Sequence, residues 1–176
     1  MITDNDTMYI GVDPGYAGMA VAALTASKLL MKTFKTAPDK TPHEDAAILR
    51  ALELHRQAVK WIEDMHCQLA RAAIERYLVW GAESVPAAEA INIQVGMFAS
   101  RWAGLVALVT PRRWQIVVLG RERLPTSERK ELIRLSIEHR GVVIPDGALA
   151  TPHEIDAAGI ALYAALGAEG PQLFDG

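Results

Sequence analysis

The sequence predicts an α/β fold in which a five-stranded mixed sheet, built from a three-strand meander followed by βα units, is flanked by helices. Three apolar runs follow one another within the first 35 residues, separated only by short turns. Beyond them, segments with helical apolar spacing alternate with short apolar runs, which is typical of strands joined by helices. The 176 residues are 51% hydrophobic and 22% charged, a size and composition that suit one folded domain.

The meander occupies residues 8–34. Residues 8–13 read as a buried strand ending in Asp13, and Pro14-Gly15 forms a turn. Residues 18–24 resume the apolar pattern as a hairpin partner, and residues 29–34 supply a third strand.

Helices and strands alternate in the rest of the chain. The predicted elements are a helix from Thr41-Pro42 to about residue 66, a fourth strand at 69–74, a helix at 87–109, a fifth strand at 114–119, and helices at 127–139 and 152–166. We expect residues 1–176 to form a single domain, with flexible tails at 1–7 and 168–176.

Composition favours a cytoplasmic protein with no membrane association. A single cysteine, Cys67, excludes an internal disulfide and makes a reducing compartment the default. The polar, acidic N-terminus does not resemble a signal peptide, and no uncharged apolar run reaches the roughly 18 residues that a membrane span needs.

Charge is unevenly distributed along the chain. The net charge is −3, yet residues 101–140 carry a net +5 and residues 141–176 a net −5. This division suits a basic surface for a polyanion beside an acidic centre. Ordinary solvated faces are an equally good interpretation from charge alone.

Three acidic residues stand where burial should disfavour them. Asp13 ends an apolar strand, Glu75 follows another, and Asp156 lies within an apolar helical segment. Buried carboxylates are normally paired or bound to a metal, and oxygen ligands suit Mg²⁺. Taken singly, Asp13 could form a turn, Glu75 could be exposed or paired with Arg76, and Asp156 could face solvent.

The segments around these acids resemble the motifs of RuvC-type Holliday junction resolvases, which belong to the ribonuclease H-like superfamily. The segment from Tyr9 to Ala20 (YIGVDPGYAGMA) is similar to their first-strand motif. Ala73-Ile74-Glu75-Arg76 is similar to their second acidic motif, and the segment from His153 to Ala161 (HEIDAAGIA) to their C-terminal motif. The order and spacing fit over about residues 8–167.

The resemblance implies a ribonuclease H-like fold and a metal-dependent endonuclease. Asp13, Glu75 and Asp156 would hold two Mg²⁺ or Mn²⁺ ions per active site, with His153 as a further ligand or proton carrier. A homodimer would resolve four-way DNA junctions by paired symmetric nicks, leaving 5′-phosphate and 3′-hydroxyl ends.

His153 also lies in a helix-start signal. Thr151-Pro152-His153-Glu154 has the pattern of a capping box, and the same tetrapeptide occurs at residues 41–44, where we assign no chemistry. The second copy differs because Asp156 follows His153 by one helical turn on the same face, where the first copy has Ala46.

Basic residues precede the last helix, in the region where the resemblance implies contacts to the DNA backbone. Lys130 is the predicted phosphate partner near the metals, although a solvated helix face is an alternative. The other predicted DNA-binding residues are Arg76, Tyr77, Arg121, Arg123 and Arg129. Relatives often carry a base-stacking aromatic residue three positions after the second acid. Here that position is Leu78. Tyr77 and Trp80 stand close by, and for these two aromatic residues a core position is the favoured alternative to base stacking.

The predicted helix at 87–109 carries more apolar residues than a single stripe requires. Burial or a dimer seam would explain this, and the resemblance favours the dimer. Two other functions stay open. One is a related nuclease acting on RNA–DNA hybrids or other branched DNA. The other is a non-catalytic relative that binds a nucleotide or protein partner, with Asp13-Pro14-Gly15 as a phosphate loop.

Overall fold

The computed structural model describes residues 7–36, 46–76 and 85–169. Five strands and five helices lie within these ranges. They are β1 (Thr7–Asp13), β2 (Gly18–Leu24), β3 (Leu29–Lys35), α1 (Ala46–Glu63), β4 (Gln68–Glu75), α2 (Val85–Arg101), β5 (Val106–Val109), α3 (Pro111–Leu119), α4 (Thr126–Glu138) and α5 (Pro152–Glu169).

The strands form one sheet in the order β3-β2-β1-β4-β5. β2 pairs antiparallel with both β1 and β3, whereas β4 runs parallel to both β1 and β5. The predicted architecture, a meander extended by βα units into a mixed five-stranded sheet, is confirmed.

Each face of the sheet is covered by helices, because both faces carry apolar side chains. Met8, Ile10 and Val12 of β1 point toward α1 and α2 and join the core on that side. The opposite core contains α5 with parts of α3 and α4. Alternation along β1 therefore places Gly11 and Asp13 on the α5 face.

Small residues let α5 lie directly on β1. A Cβ atom on Gly11 would be 2.1 Å from the carbonyl oxygen of Ala157, so only glycine permits this contact. Ala20 and Ala22 of β2 and Ala73 of β4 continue the small surface beneath the helix. The close approach brings the first turns of α5 to the end of β1 where Asp13 stands.

The predicted fifth strand was wrong. Residues 114–119 belong to helix α3, and the fifth strand is Val106–Val109, within the segment that was expected to extend the second long helix. That helix ends at Arg101, and Gly104, with a left-handed φ of 84°, turns the chain into β5. The hydroxyl of Thr110 accepts the Arg113 N–H and caps α3, and Gly120 ends the helix in the left-handed region.

The remaining elements agree with the sequence to within a few residues. The predicted start of the first helix at Thr41-Pro42 lies outside the described residues. Thr7 begins β1 and α5 runs to Glu169, so regular structure enters both segments expected to be tails. No helix in the described ranges is long and apolar enough to span a membrane.

Candidate active site

Two of the three predicted acids end neighbouring parallel strands. Val12 pairs with Ile74 in the β1–β4 ladder, so Asp13 and Glu75 stand one residue beyond that pair at the same edge of the sheet. Side chains alternate between the two faces of the sheet in the same phase along both strands. The side chains of Asp13 and Glu75 therefore both point to the α5 face.

The start of α5 supplies the other two predicted residues. The Thr151 hydroxyl accepts the Glu154 N–H at 3.2 Å, and the Glu154 carboxylate accepts the Thr151 N–H at 3.0 Å, so the capping box forms as predicted. Glu154 also accepts a hydrogen bond from the Thr33 hydroxyl of β3, which ties the helix start to the sheet. This arrangement points Glu154 away from the acids and leaves His153 and Asp156 facing them.

Each carboxylate has a different protein partner. Asp13, whose side chain is only 9% exposed, has Oδ2 2.6 Å from Nδ1 of His153. Glu75 Oε2 accepts the indole N–H of Trp114 at 2.8 Å. Asp156 Oδ1 lies 3.2 Å from Nε of Arg129, an ion pair whose two atoms are buried but not aligned as a hydrogen bond.

The protonation energetics identify these groups as one cluster. Burial, followed by the charge of Asp13, raises the pKa of Glu75 to about 7, while the Trp114 hydrogen bond opposes the rise. Burial also raises the pKa of Asp156 to about 6, against the lowering effect of Arg129. The hydrogen bond to Asp13 raises the pKa of His153. The charge of Asp13 acts on all three of these groups, so residues 13, 75, 153 and 156 share one small site.

The cluster has the composition of a cation site, although its side chains bind protein groups instead. Among the residues that the structure describes, no three His, Cys, Asp or Glu side chains are already arranged around a common metal position. Asp156 Oδ1 is nevertheless buried without a hydrogen bond, and burial raises the pKa of Glu75 and of Asp156, with the charge of Asp13 adding to both shifts. These features fit divalent cations that would replace the present partners of the carboxylates.

The predicted basic residues divide between the cluster and the surface. Arg129 contacts Asp156, whereas Lys130, next to it on α4, is exposed. Arg121 pairs with Glu128, and Arg123 is exposed in the loop between α3 and α4 with a left-handed φ of 59°. Arg76 is exposed beyond β4. Tyr77, Leu78 and Trp80 lie outside the described residues.

Sequence reasoning missed two partners in the cluster. Trp114 was assigned to a strand, and Arg129 was expected on DNA and not against Asp156. Thr110-Pro111 before Trp114 and Gly120 after it are helix start and stop signals that could have identified α3. No signal in the sequence separates Arg129 from Lys130.

Solved structures resemble nearly the whole chain, although no family model and no curated protein sequence matches it. RuvC of Thermus thermophilus matches at a TM-score of 0.64 and 19% identity, covering 93% of this chain and 95% of that one. The same protein in complex with a Holliday junction substrate matches at 0.65 and 18%, covering 95% and 96%. Ydc2, the yeast mitochondrial Holliday junction resolvase, matches at 0.55 and 12%, covering 99% and 84%. At these identities the matches establish the fold, and the predicted ribonuclease H-like fold is confirmed.

Proposed function

We propose that this protein is a divalent-cation-dependent endonuclease that resolves four-way DNA junctions by paired symmetric nicks. The observation that carries the proposal is the meeting of Asp13, Glu75, His153 and Asp156 at the ends of two parallel strands, beneath a helix held against β1 by Gly11. The fold is shared with a protein solved on a Holliday junction substrate, which supports the choice of substrate.

Asp13, Glu75 and Asp156 would hold Mg²⁺ or Mn²⁺, two ions per site, with His153 completing the ligand set or moving a proton. Bound cations would neutralise the phosphodiester and activate the attacking water. Glu75 is largely buried near Asp13 and Asp156, and a bound cation would relieve the repulsion among these carboxylates. His153, with a side chain 68% exposed, can release Asp13 and turn toward solvent without disturbing the core.

Exposed basic residues on α4 and in the loop before it would bind backbone phosphates. Arg121 and Arg123 lie in the loop between α3 and α4, and Lys130 projects to solvent from the helix that carries Arg129 to Asp156. Their arrangement predicts affinity for DNA that falls steeply with salt, because phosphate contacts release counterions.

A homodimer would form through α1 and α2. Ile48, Leu49 and Leu52 share one side of α1 and are 38%, 52% and 47% exposed, which is unusual for large apolar residues grouped on one helix. Leu52 also lines a groove with Ile93 and Met97 of α2. A two-fold interface here would leave the α5 face, and hence the acidic cluster, open to DNA.

Cleavage of a synthetic four-way junction, with and without Mg²⁺, tests the proposal. We expect symmetric nicks that require the cation, and a loss of at least about 100-fold in rate for Asp13→Asn and Asp156→Asn with junction binding retained. Asp146→Asn, which changes an exposed acid outside the cluster, is the matched control. Unimpaired cleavage by either cluster variant would refute the ligand assignment.

A panel of other substrates in the cleavage assay, together with thermal unfolding in the presence of ATP-Mg²⁺, separates the related functions. Preferential cutting of a matched RNA–DNA hybrid or a flap would replace the junction as substrate. Stabilisation by ATP-Mg²⁺ without any nuclease activity would favour a non-catalytic nucleotide-binding relative.

A further inference from the structure

We propose that the indole N–H of Trp114 is a positioning donor that fixes the Glu75 carboxylate for cation binding. The inference rests on the proposed function, since it assigns to Trp114 a role in preparing the same site. It holds that Trp114 binds Oε2 of Glu75 and leaves Oε1 available to a cation.

The hydrogen bond is well formed, and its donor is fully buried. Trp114 Nε1 lies 2.8 Å from Glu75 Oε2, and the tryptophan side chain is completely buried. An indole has a single donor and no acceptor, so this N–H can serve only a partner such as the carboxylate. A buried donor without its acceptor would be unfavourable, and the contact therefore holds both groups in place.

The ring is held between two of the three elements that carry the acids, β4 and α5. β5 pairs with β4 so that Val109 lies opposite Glu75, and α3 begins two residues later at Pro111. The first turn of α3 thus returns Trp114 to the end of β4. On its other side the ring meets α5 at Gly159, where a Cβ atom would come within 2.4 Å of Cζ3.

Trp114 is held both by its packing against α5 and by its hydrogen bond to Glu75, whereas a residue that only fills space would need the packing alone. Gly159 lies one helical turn from Asp156, so the indole contacts the helix of one predicted ligand while it hydrogen-bonds another. Partners that orient a metal ligand in this way commonly change metal affinity by 10- to 100-fold when they are removed.

Indole NMR resonances test the contact directly. In ¹⁵N-labelled protein, the Trp114 resonance is assigned through Trp114→Phe, and Mg²⁺ is then added. We expect the Trp114 indole resonance to move with Mg²⁺ in the wild type and to stay fixed in Glu75→Gln. The Trp61 resonance is the internal control, since Trp61 packs against Phe34 on the other side of the sheet. A Trp114 resonance insensitive to Mg²⁺ in a protein that binds Mg²⁺ would overturn the inference.

An isostere of tryptophan separates the effect of the N–H donor from the effect of the packed ring. Benzothienylalanine at position 114 keeps the shape of the ring and lacks the N–H. By calorimetry we expect its Mg²⁺ affinity to fall about 10-fold or more. Thermal unfolding should show only the loss expected for one missing hydrogen bond, so the variant stays folded at the temperature of the binding measurement. Trp61→Phe should instead lose stability with unchanged Mg²⁺ affinity.

The outcomes distinguish this inference from the proposed function. If the wild type binds Mg²⁺ and cleaves junctions but the isostere binds Mg²⁺ equally well, only the role of Trp114 fails. If the wild type neither binds Mg²⁺ nor cleaves, the proposed function fails, and this inference fails with it.

Discussion

At the scale of single residues, adjacent side chains on α4 have different surroundings. Arg129 is largely buried against Asp156, and Lys130 faces solvent. Consecutive helical residues point about 100° apart, so the two members of a basic pair can have different surroundings, and the sequence does not say which of them faces inward. The sequence identified the acids because carboxylates are unusual in apolar segments. It could not identify Arg129, since arginine beside lysine is ordinary on a helix surface.

Replacing Arg129 should affect cation binding in a way that replacing Lys130 does not. In Arg129→Met the positive charge beside Asp156 is lost, so we expect the cation-free protein to lose about 1–3 kcal/mol of stability. Mg²⁺ affinity at pH 8 should increase several-fold, because the competing cation is gone. Urea unfolding and calorimetry measure the two effects. Lys130→Met is the control and should leave both unchanged. Weaker Mg²⁺ binding by Arg129→Met would contradict a competition between Arg129 and the cation for Asp156.

The raised pKa values of the cluster predict how stability depends on pH. The pKa of Glu75 is raised from 4.5 to about 7 and that of Asp156 from 3.8 to about 6. A carboxyl with a raised pKa stabilises the fold below its unfolded value, and this stability is lost as the pH rises to the folded value. The raised pKa of His153 acts in the same direction, since its contribution is lost as the pH rises through its folded value.

We therefore expect the cation-free protein to be less stable at pH 8 than at pH 5, by an amount on the order of 1–3 kcal/mol. Mg²⁺ should restore much of the loss at pH 8, where the carboxyls are ionised. Urea unfolding at both pH values, with and without Mg²⁺, measures this. Glu75→Gln should show a weaker pH dependence. Stability that rises toward pH 8 without Mg²⁺ would argue against a poorly compensated acidic cluster.

At the scale of elements, the approach of α5 to β1 sets the geometry of the cluster. We expect Gly11→Ala to destabilise the protein by about 2–3 kcal/mol and to weaken Mg²⁺ binding, because its Cβ would lie 2.1 Å from Ala157 O and displace α5. Gly96→Ala, in the interior of α2 with no neighbouring element within 4 Å of the added Cβ, should be neutral or stabilise by up to about 1 kcal/mol. Because Gly96 borders the groove of the proposed dimer, both variants are compared at a protein concentration low enough to keep them monomeric. Denaturant unfolding compares the two. Equal stabilities would show that α5 is not held by this contact.

Most elements could be predicted from apolar spacing, but β5 and α3 could not. Val106–Val109 is only four residues long, and a short apolar run fits the end of a helix as well as a strand. In α3 the β-branched residues Ile116, Val117 and Val118 suggest a strand, yet Thr110, Pro111 and Gly120 cap a helix. The error concealed the contact between Trp114 and Glu75, because a strand at 114–119 gave no reason to place the indole at the end of β4.

At the scale of the whole molecule, the sheet separates two surfaces. The acidic cluster lies on the α5 face, whereas the exposed apolar residues of α1 lie on the other. All four predicted cluster residues belong to one chain, so cation binding should not require a dimer. Paired nicking should require one, because two sites must act on opposed strands of the same junction.

Breaking the α1 surface should therefore separate these two properties. We expect Leu52→Glu to be monomeric by light scattering, since a charge at a residue 47% exposed disrupts an apolar interface without entering the core. Its Mg²⁺ affinity should equal that of the wild type.

On a plasmid with an extruded cruciform, the wild type should yield linear DNA, because both strands are cut before the junction is lost. The variant should yield mainly nicked circles, since a single nick relaxes the supercoiling that holds the cruciform open. Leu135→Glu, at an exposed position on α4 away from this surface, is the control and should still linearise the plasmid. A dimeric Leu52→Glu protein would place the interface elsewhere, and a monomer that linearises as fast as the wild type would remove the need for symmetry in the cleavage step.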